Sequence, residues 1–323
     1  MRWRGRRQSD NIEDRRGQGG GGFPFPGRRG GMRIPVGGRK GGIGIVGMLV
    51  IVGLMLFFGV DPTAILQGGG GGGSMQMPDI RLPQPGTRRP QLPAPGRQAP
   101  STQGPKSTSN DDLKAFTAVV LADTEDVWNA IFKQFGRTYR EPKLVLFSGA
   151  TRSACGTGMS QMGPFYCPLD QKVYIDLVFY RELKNRFRAP GDFAQAYVVA
   201  HEVGHHVQTL LGIAEKVQRA KAQRRQKDAN ALQVRMELQA DCFSGVWAKF
   251  ANRTKNILEP GDIDEALNAA SAIGDDRIQK RQQGYVVSDA FTHGSAKQRQ
   301  RWFRRGFESG DIQQCDTFNA ASL

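Results

Sequence analysis

The stretch AYVVAHEVGHHVQ, Ala196–Gln208, places three of the chain's four histidines and one glutamate in an otherwise apolar run. On a helix, His201 and His205 are four residues apart, so both imidazoles leave from one face and converge on a single metal ion, with Glu202 beside that face. This is the H-E-x-x-H arrangement, in which the helix supplies two ligands and the glutamate is the general base of a metal-assisted hydrolysis. Val198, Val199, Ala200 and Val207 predict that the helix is buried and rigid, as a preorganised site requires. His206 lies about 100° round the helix from His205, so it is expected to turn aside as a packed or hydrogen-bonded core histidine. The fold must therefore be built around one buried helix.

Two imidazoles leave a metal site incomplete. An H-E-x-x-H-x-x-G-x-x-H extension would need Gly at 208 and His at 211, and the chain has Gln208 and Leu211, so that subclass is excluded. A glutamate from a later helix is available in RMELQADCFSGVWAKF, Arg235–Phe250, where Glu237 and Asp241 are again four apart. Glu237 is expected to be the third ligand, and Asp241 to hold a ligating histidine by its distal N–H. The last histidine, His293, stands in AFTHGSAKQRQRWF just before a predicted helix N-terminus. From there it either donates to the oxyanion of a tetrahedral intermediate or simply ends a loop.

The rest of the chain is uneven. Of the formal charge of +15 over 323 residues, the first 40 carry +8, with eleven Lys or Arg against Asp10, Glu13 and Asp14. This Arg/Gly-rich stretch is read as a disordered cytoplasmic tail. Next to it runs GGIGIVGMLVIVGLMLFFGV, Gly41–Val60, twenty uncharged residues that suffice to span a bilayer core as a helix. Arg28, Arg29, Arg33, Arg39 and Lys40 precede it, while residues 61–80 contain no Lys or Arg, which predicts a cytoplasmic N-terminus. Residues 61–109 are Gly- and Pro-rich and read as a linker. Everything beyond would be periplasmic or otherwise extracytoplasmic, where Cys155, Cys167, Cys242 and Cys315 can oxidise. Proximity favours Cys155 with Cys167, which leaves Cys242 with Cys315. No nucleic-acid partner is expected, because Arg-rich flanks accompany any anchor of this orientation and the basic helices further on read as solvated faces.

From Asn110 the texture is that of an ordinary domain. NDDLKAFTAVVLADTEDVWNAIFKQFG has apolar residues at Phe116, Val119, Val120, Val127, Ile131 and Phe135 and reads as an amphipathic helix ending at Gly136. Strands are expected at Lys143–Gly149 and around Val173–Leu177, with TRSACGTGMSQMG between them a loop held by its cysteines. After Asp192, which can cap the H-E-x-x-H helix, helical signals dominate. Asp262 with Glu265 makes a capping-box pattern, and Ser295 can cap SAKQRQRWFRRGFES. Strands early and helices late argue for an α+β fold.

AYVVAHEVGHHVQ, taken with upstream GPFYCPLDQKVYIDLVF and downstream MELQADCFSGVWA and THGSAKQRQRWF, resembles the bacterial neutral zinc metallopeptidases, a membrane-anchored family. The likeness runs over residues 110–318 with the four motifs in order. It implies a zincin-like metallopeptidase domain, a twisted sheet over the active-site helix, behind one N-terminal transmembrane helix. It makes His201 and His205 ligands of one zinc ion and Glu202 the base. The E-x-x-A-D form of Glu237–Asp241 is also similar to that of gluzincins whose glutamate completes the zinc site. In those relatives a later histidine before proline contacts the reacting carbonyl, whereas here Gly294 follows His293. The expected function is a membrane-anchored zinc endopeptidase acting on peptide or protein substrates, with the peptide pairing along a sheet edge near Val173–Leu177. A catalytically silent scaffold or peptide-binding protein of the cell envelope is the alternative, and Glu202 argues against it, because a structural zinc site needs no base.

Overall fold

The computed structural model describes residues 1–17 and 110–323. The periodic segment after residue 109 forms one continuous helix, α1 (Asn110–Gln134), whose Phe116, Val119, Val120, Val127 and Ile131 are buried. Phe135, expected on the same face, lies beyond the helix and is half-exposed. Gly136 follows at φ 66°, the left-handed backbone that suits glycine after a helix.

Leu144, Val145, Leu146 and Phe147 are all buried, a run without alternation that marks a central strand covered on both faces. This is β2 (Lys143–Phe147), and it pairs in parallel with β6 (Lys172–Asp176), Leu144 opposite Val173. The four-stranded sheet has the order β1-β2-β6-β5, in which β1 (Ile12–Asp14) is parallel to β2 and β5 (Phe165–Cys167) is antiparallel to β6. The strand near Val173–Leu177 is thus interior, and β5 is the edge on that side. The segment expected to be a loop is instead a hairpin, β3 (Ala150–Ser153) with β4 (Gly156–Met159). Its turn holds Cys155, which is bonded to Cys167 of β5, and the second bridge joins Cys242 to Cys315, so both expected disulfides are present.

Helices make up the remainder: α2 (Val178–Asn185), α3 (Asp192–Leu210), α4 (Ile213–Ala222), α5 (Gln226–Lys255), α6 (Asp262–Ala272), α7 (Asp275–Gln283) and α8 (Ala296–Ser309). The described residues are thus α+β and mostly helical. Glycines set the closest helix approaches. A Cβ on Gly204 of α3 would meet the Ala240 carbonyl of α5 at 3.1 Å, and Cβ atoms on Gly245 of α5 or Gly306 of α8 would overlap the opposing backbone. Ser295 caps α8 as expected, and the structure adds a capping box with Gln298. Asp192 does not cap α3. It is already helical behind Gly191, and the Glu265 carboxylate accepts the Phe193 N–H at 3.0 Å. Glu265 is thereby drawn away from the box expected with Asp262.

The expected disordered tail is corrected over residues 1–17, which pack onto the domain as part of one compact unit with the later chain. Backbone pairing of Ile12–Asp14 completes the open edge of β2. The arginines that read as solvated charge meet acids on α1: Arg7 reaches Glu125 at 3.1 Å and Asp126 at 2.7 Å, while Arg6 pairs with Asp123. Asn11 adds a hydrogen bond to Glu125 at 2.9 Å, and Trp3 packs edge-on against Phe116. The Met1 ammonium sits among Asp192, Glu259 and Asp262 at 2.7–3.2 Å. Burial opposes its charge, but the three carboxylates outweigh burial and lift its pKa to about 10.

The proposed membrane span 41–60, the linker 61–109 and the remainder of the tail lie outside the described residues. Among the described residues no helix is long and apolar enough to cross a membrane. Residues 1–17 and the chain from residue 110 pack into one unit, although the expected span lies between them in sequence.

Candidate metal centre

The apolar positions of α3 bury it against the sheet and α5, and this burial is what fixes the histidine face. Val199, Val203 and Val207 have no exposed surface. The close approach at Gly204 brings the Glu237–Asp241 turn of α5 under that face. The structure thus brings together three expected ligands. Nε2 of His201 is 3.2 Å and Nε2 of His205 is 3.6 Å from Oε2 of Glu237. One ligand atom from each residue lies within 4.8 Å of the others. Tetrahedral zinc with bonds of about 2.0–2.1 Å separates its ligand atoms by roughly 3.3 Å, so two imidazoles and a carboxylate at these distances fit the ion.

Asp241 lies where the sequence places it, one turn beyond Glu237 and beside the candidate ligand His201. Its Oδ1 is 2.9 Å from Nδ1 of His201. An ionised carboxylate only accepts, so Nδ1 carries the proton and Nε2 is left for the metal. Asp241 has no exposed surface, and its charge is met by Arg299 of α8, which donates from Nε to Oδ2 and from Nη2 to Oδ1, both at 2.9 Å. The Tyr197 hydroxyl donates to the same Oδ1 and accepts from Arg299 at 3.1 Å. Neither Arg299 nor Tyr197 is among the residues expected from the sequence. The signal was there: Ala296, Arg299, Trp302, Phe303 and Gly306 recur at helical spacing and are the buried face of α8.

These charges set the protonation of the site. Burial disfavours a positive His201, but Asp241 and Glu237 overcome it and lift its pKa to about 9. Burial likewise opposes charge on His205, and the facing Glu237 raises its pKa. Burial would push Glu237 up, yet the two histidines hold it well below the usual carboxylate range. Glu202 moves the other way: burial raises its pKa.

His206 turns aside as expected. Its Nε2 donates to the Arg140 carbonyl at 2.6 Å, Nδ1 faces the Tyr166 hydroxyl at 3.1 Å, and burial depresses its pKa to about 4. It is therefore neutral and ties α3 to the edge strand β5. His293 borders the same cleft as Glu202 and the three candidate ligands, a cavity of about 500 Å³. Its Nδ1 faces Asp275 Oδ1 at 3.1 Å, and Oδ2 of Asp275 accepts the backbone N–H groups of Thr292, His293 and Gly294. Burial works against a charge on His293, but Asp275 raises its pKa. Asp275 is a further residue that sequence reasoning did not find.

A family model described as "Putative neutral zinc metallopeptidase" matches residues 1–318. The chain belongs to that family. Membership of the neutral zinc metallopeptidases agrees with a donor set that suits zinc, and the match includes the N-terminal segment that completes the sheet. The chain is 49% identical over 324 residues to the uncharacterized protein YpfJ of Escherichia coli K12, covering 98% of this chain and 99% of that one. It is 44% identical over 222 residues to the uncharacterized protein Rv2575 of Mycobacterium tuberculosis H37Rv, covering 66% of this chain and 74% of the relative. No solved structure matches.

Proposed function

We propose that this metallopeptidase is a gluzincin-type zinc endopeptidase with a zincin-like arrangement of sheet and helix. The observation that carries the reading is the convergence of His201, His205 and Glu237 in one cleft that Glu202 also lines. His201 and His205 from α3 and Glu237 from α5 would hold one zinc ion, which when bound supplies Lewis-acid activation of water and of the scissile carbonyl. Glu202, with its raised pKa, takes the proton from the attacking water and passes it to the leaving amine. His293, held by Asp275 through Nδ1, presents Nε2 to the cleft as a donor to the developing oxyanion. Asp241 and Arg299 keep His201 in the tautomer that leaves Nε2 free.

The substrate is a peptide in extended form. Phe165 and Tyr166 of β5 line the cleft, and among the described residues β5 pairs with β6 alone, so its other edge offers backbone groups for strand addition. Two disulfides support an oxidising, extracytoplasmic location in the cell envelope for the folded unit. Residues 1–17 belong to that unit, so the apolar segment 41–60 would associate with the bilayer without a net crossing between them. Retained zinc with lost turnover in Glu202→Gln tests the mechanism; equal turnover in that variant removes it.

A further inference from the structure

His205 is fixed by a different device from the one that fixes His201. Its Nδ1 lies 2.9 Å from Oε1 of Gln208, one turn along α3. Gln208 has no exposed surface, and its Nε2 donates to the Met236 carbonyl at 2.7 Å and to Gln239 Oε1 at 3.1 Å. Gln239, also buried, donates in turn from Nε2 to the carbonyl of Cys315 at 3.0 Å. Cys315 is bonded to Cys242, which follows Gln239 by three residues on α5.

The order of donors along this chain is forced. A backbone carbonyl only accepts, so Gln239 must turn its NH2 to Cys315 and its oxygen to Gln208. Gln208 then has its NH2 taken by Gln239 and by the Met236 carbonyl, and only its oxygen can face His205. That oxygen requires a proton on Nδ1, which leaves the Nε2 lone pair on the side of Glu237. Reversing either amide would set two donors or two acceptors against each other in a buried position, at a cost of about 1–3 kcal/mol for each unsatisfied group.

We propose that Gln208 and Gln239 are positioning residues that fix the tautomer of His205 for zinc, with the Cys242–Cys315 disulfide holding the Cys315 carbonyl at the far end of the relay. The site reaches full metal affinity only when that bridge is closed. Arg235 also tethers the C-terminal segment, its Nη1 reaching the Thr317 and Phe318 carbonyls while its own carbonyl accepts from Thr317. Oxidation of the folded chain and metal loading are thereby linked through two neutral amides. This inference rests on the reading that His201, His205 and Glu237 bind zinc.

The test measures zinc affinity by chelator competition on the full chain, for wild type, Gln239→Leu, the double variant Cys242→Ala/Cys315→Ala and, as a control, His205→Ala. Loss of such outer partners typically weakens metal binding 10- to 100-fold, and that is the expectation for Gln239→Leu and for the disulfide-free protein. A second readout separates positioning from packing. In the zinc-loaded protein the downfield imidazole N–H resonance of His205 should be lost or shifted upfield in Gln239→Leu, while that of His201 stays. Unchanged affinity and an unchanged His205 resonance in Gln239→Leu would overturn the relay. Wild type that binds no zinc, or His205→Ala that binds it equally, would instead overturn the ligand assignment. Gln239→Leu keeps the disulfide, so it decides the relay even if the double variant does not fold, and unchanged zinc affinity in the folded double variant would overturn the role of the bridge.

Discussion

The Arg299–Asp241 pair makes opposite demands on stability and on metal binding, and two variants separate them. Both residues are buried, Arg299 with 1% of its surface exposed and Asp241 with none. Arg299→Met removes two donors to Asp241 and one to Tyr197, and leaves an ionised carboxylate satisfied only by Tyr197 and His201. Breaking a buried pair from one side costs about 3–5 kcal/mol. The two surviving partners place this case at the low end, about 3 kcal/mol, which at ~2–4 °C per kcal/mol for a domain of this size class lowers Tm by roughly 6–12 °C. Asp241→Leu/Arg299→Met removes the stranded charge as well, so it should be more stable than the single variant by about 1–3 kcal/mol, even with the Tyr197 hydroxyl left unpaired. Zinc affinity should run the other way. The single variant keeps the Asp241–His201 hydrogen bond, whereas the double variant loses it and should bind zinc about 10- to 100-fold more weakly. Thermal unfolding in EDTA and chelator competition read the two quantities separately. Stability and affinity falling together from wild type to single to double variant would refute the argument that Arg299 neutralises while Asp241 orients.

Three other outcomes are expected. His206 has a folded pKa of about 4 against 6.5 in the unfolded chain, so the unfolded state binds the extra proton between those values. Stability of the metal-free protein should therefore fall by up to about 3 kcal/mol as pH drops from 6.5 to 4, and the slope should flatten in His206→Phe. Asp275 raises the pKa of His293, which donates while protonated, so Asp275→Asn should move the alkaline limb of the kcat/KM profile to lower pH; an unmoved limb would remove His293 as the donor. Compartment reporters fused at residue 1 through a flexible linker and at residue 323 should report the same side of the membrane, and opposite sides would contradict the docking of residues 1–17.

What the sequence reveals here is what local spacing controls. His201 and His205, and Glu237 and Asp241, are each one helical turn apart, so their shared faces follow from periodicity alone, and only the meeting of the two helices needed the structure. The Gly204 approach to Ala240 that makes them meet is a contact between residues 36 apart, invisible to a window along the chain. Arg299 was legible in principle, because its spacing from Ala296 and Phe303 puts it on the buried face of α8, but four further Lys or Arg between residues 297 and 305 disguise it as solvated charge. The N-terminal segment fails for a different reason. Its arginines are balanced by Asp123, Glu125 and Asp126, more than 100 residues away, and its strand contributes only Ile12–Asp14, too short to register as a pattern. The hairpin at Ala150–Met159 is masked by its glycines, one of which, Gly158, sits against the Phe165 ring where a side chain would collide.

The central claim is that Glu202 is the base of a zinc peptidase whose metal is held by His201, His205 and Glu237. The most direct measurement compares zinc content and hydrolysis of a mixed peptide library by wild type and Glu202→Gln. The account predicts one zinc per chain in both proteins, cleavage by wild type, and loss of at least about 10²-fold in turnover in the variant, the scale expected when a general base is removed. Zinc in both proteins with no cleavage by either, or equal cleavage by both, would contradict it and favour a metal-stabilised scaffold of the cell envelope.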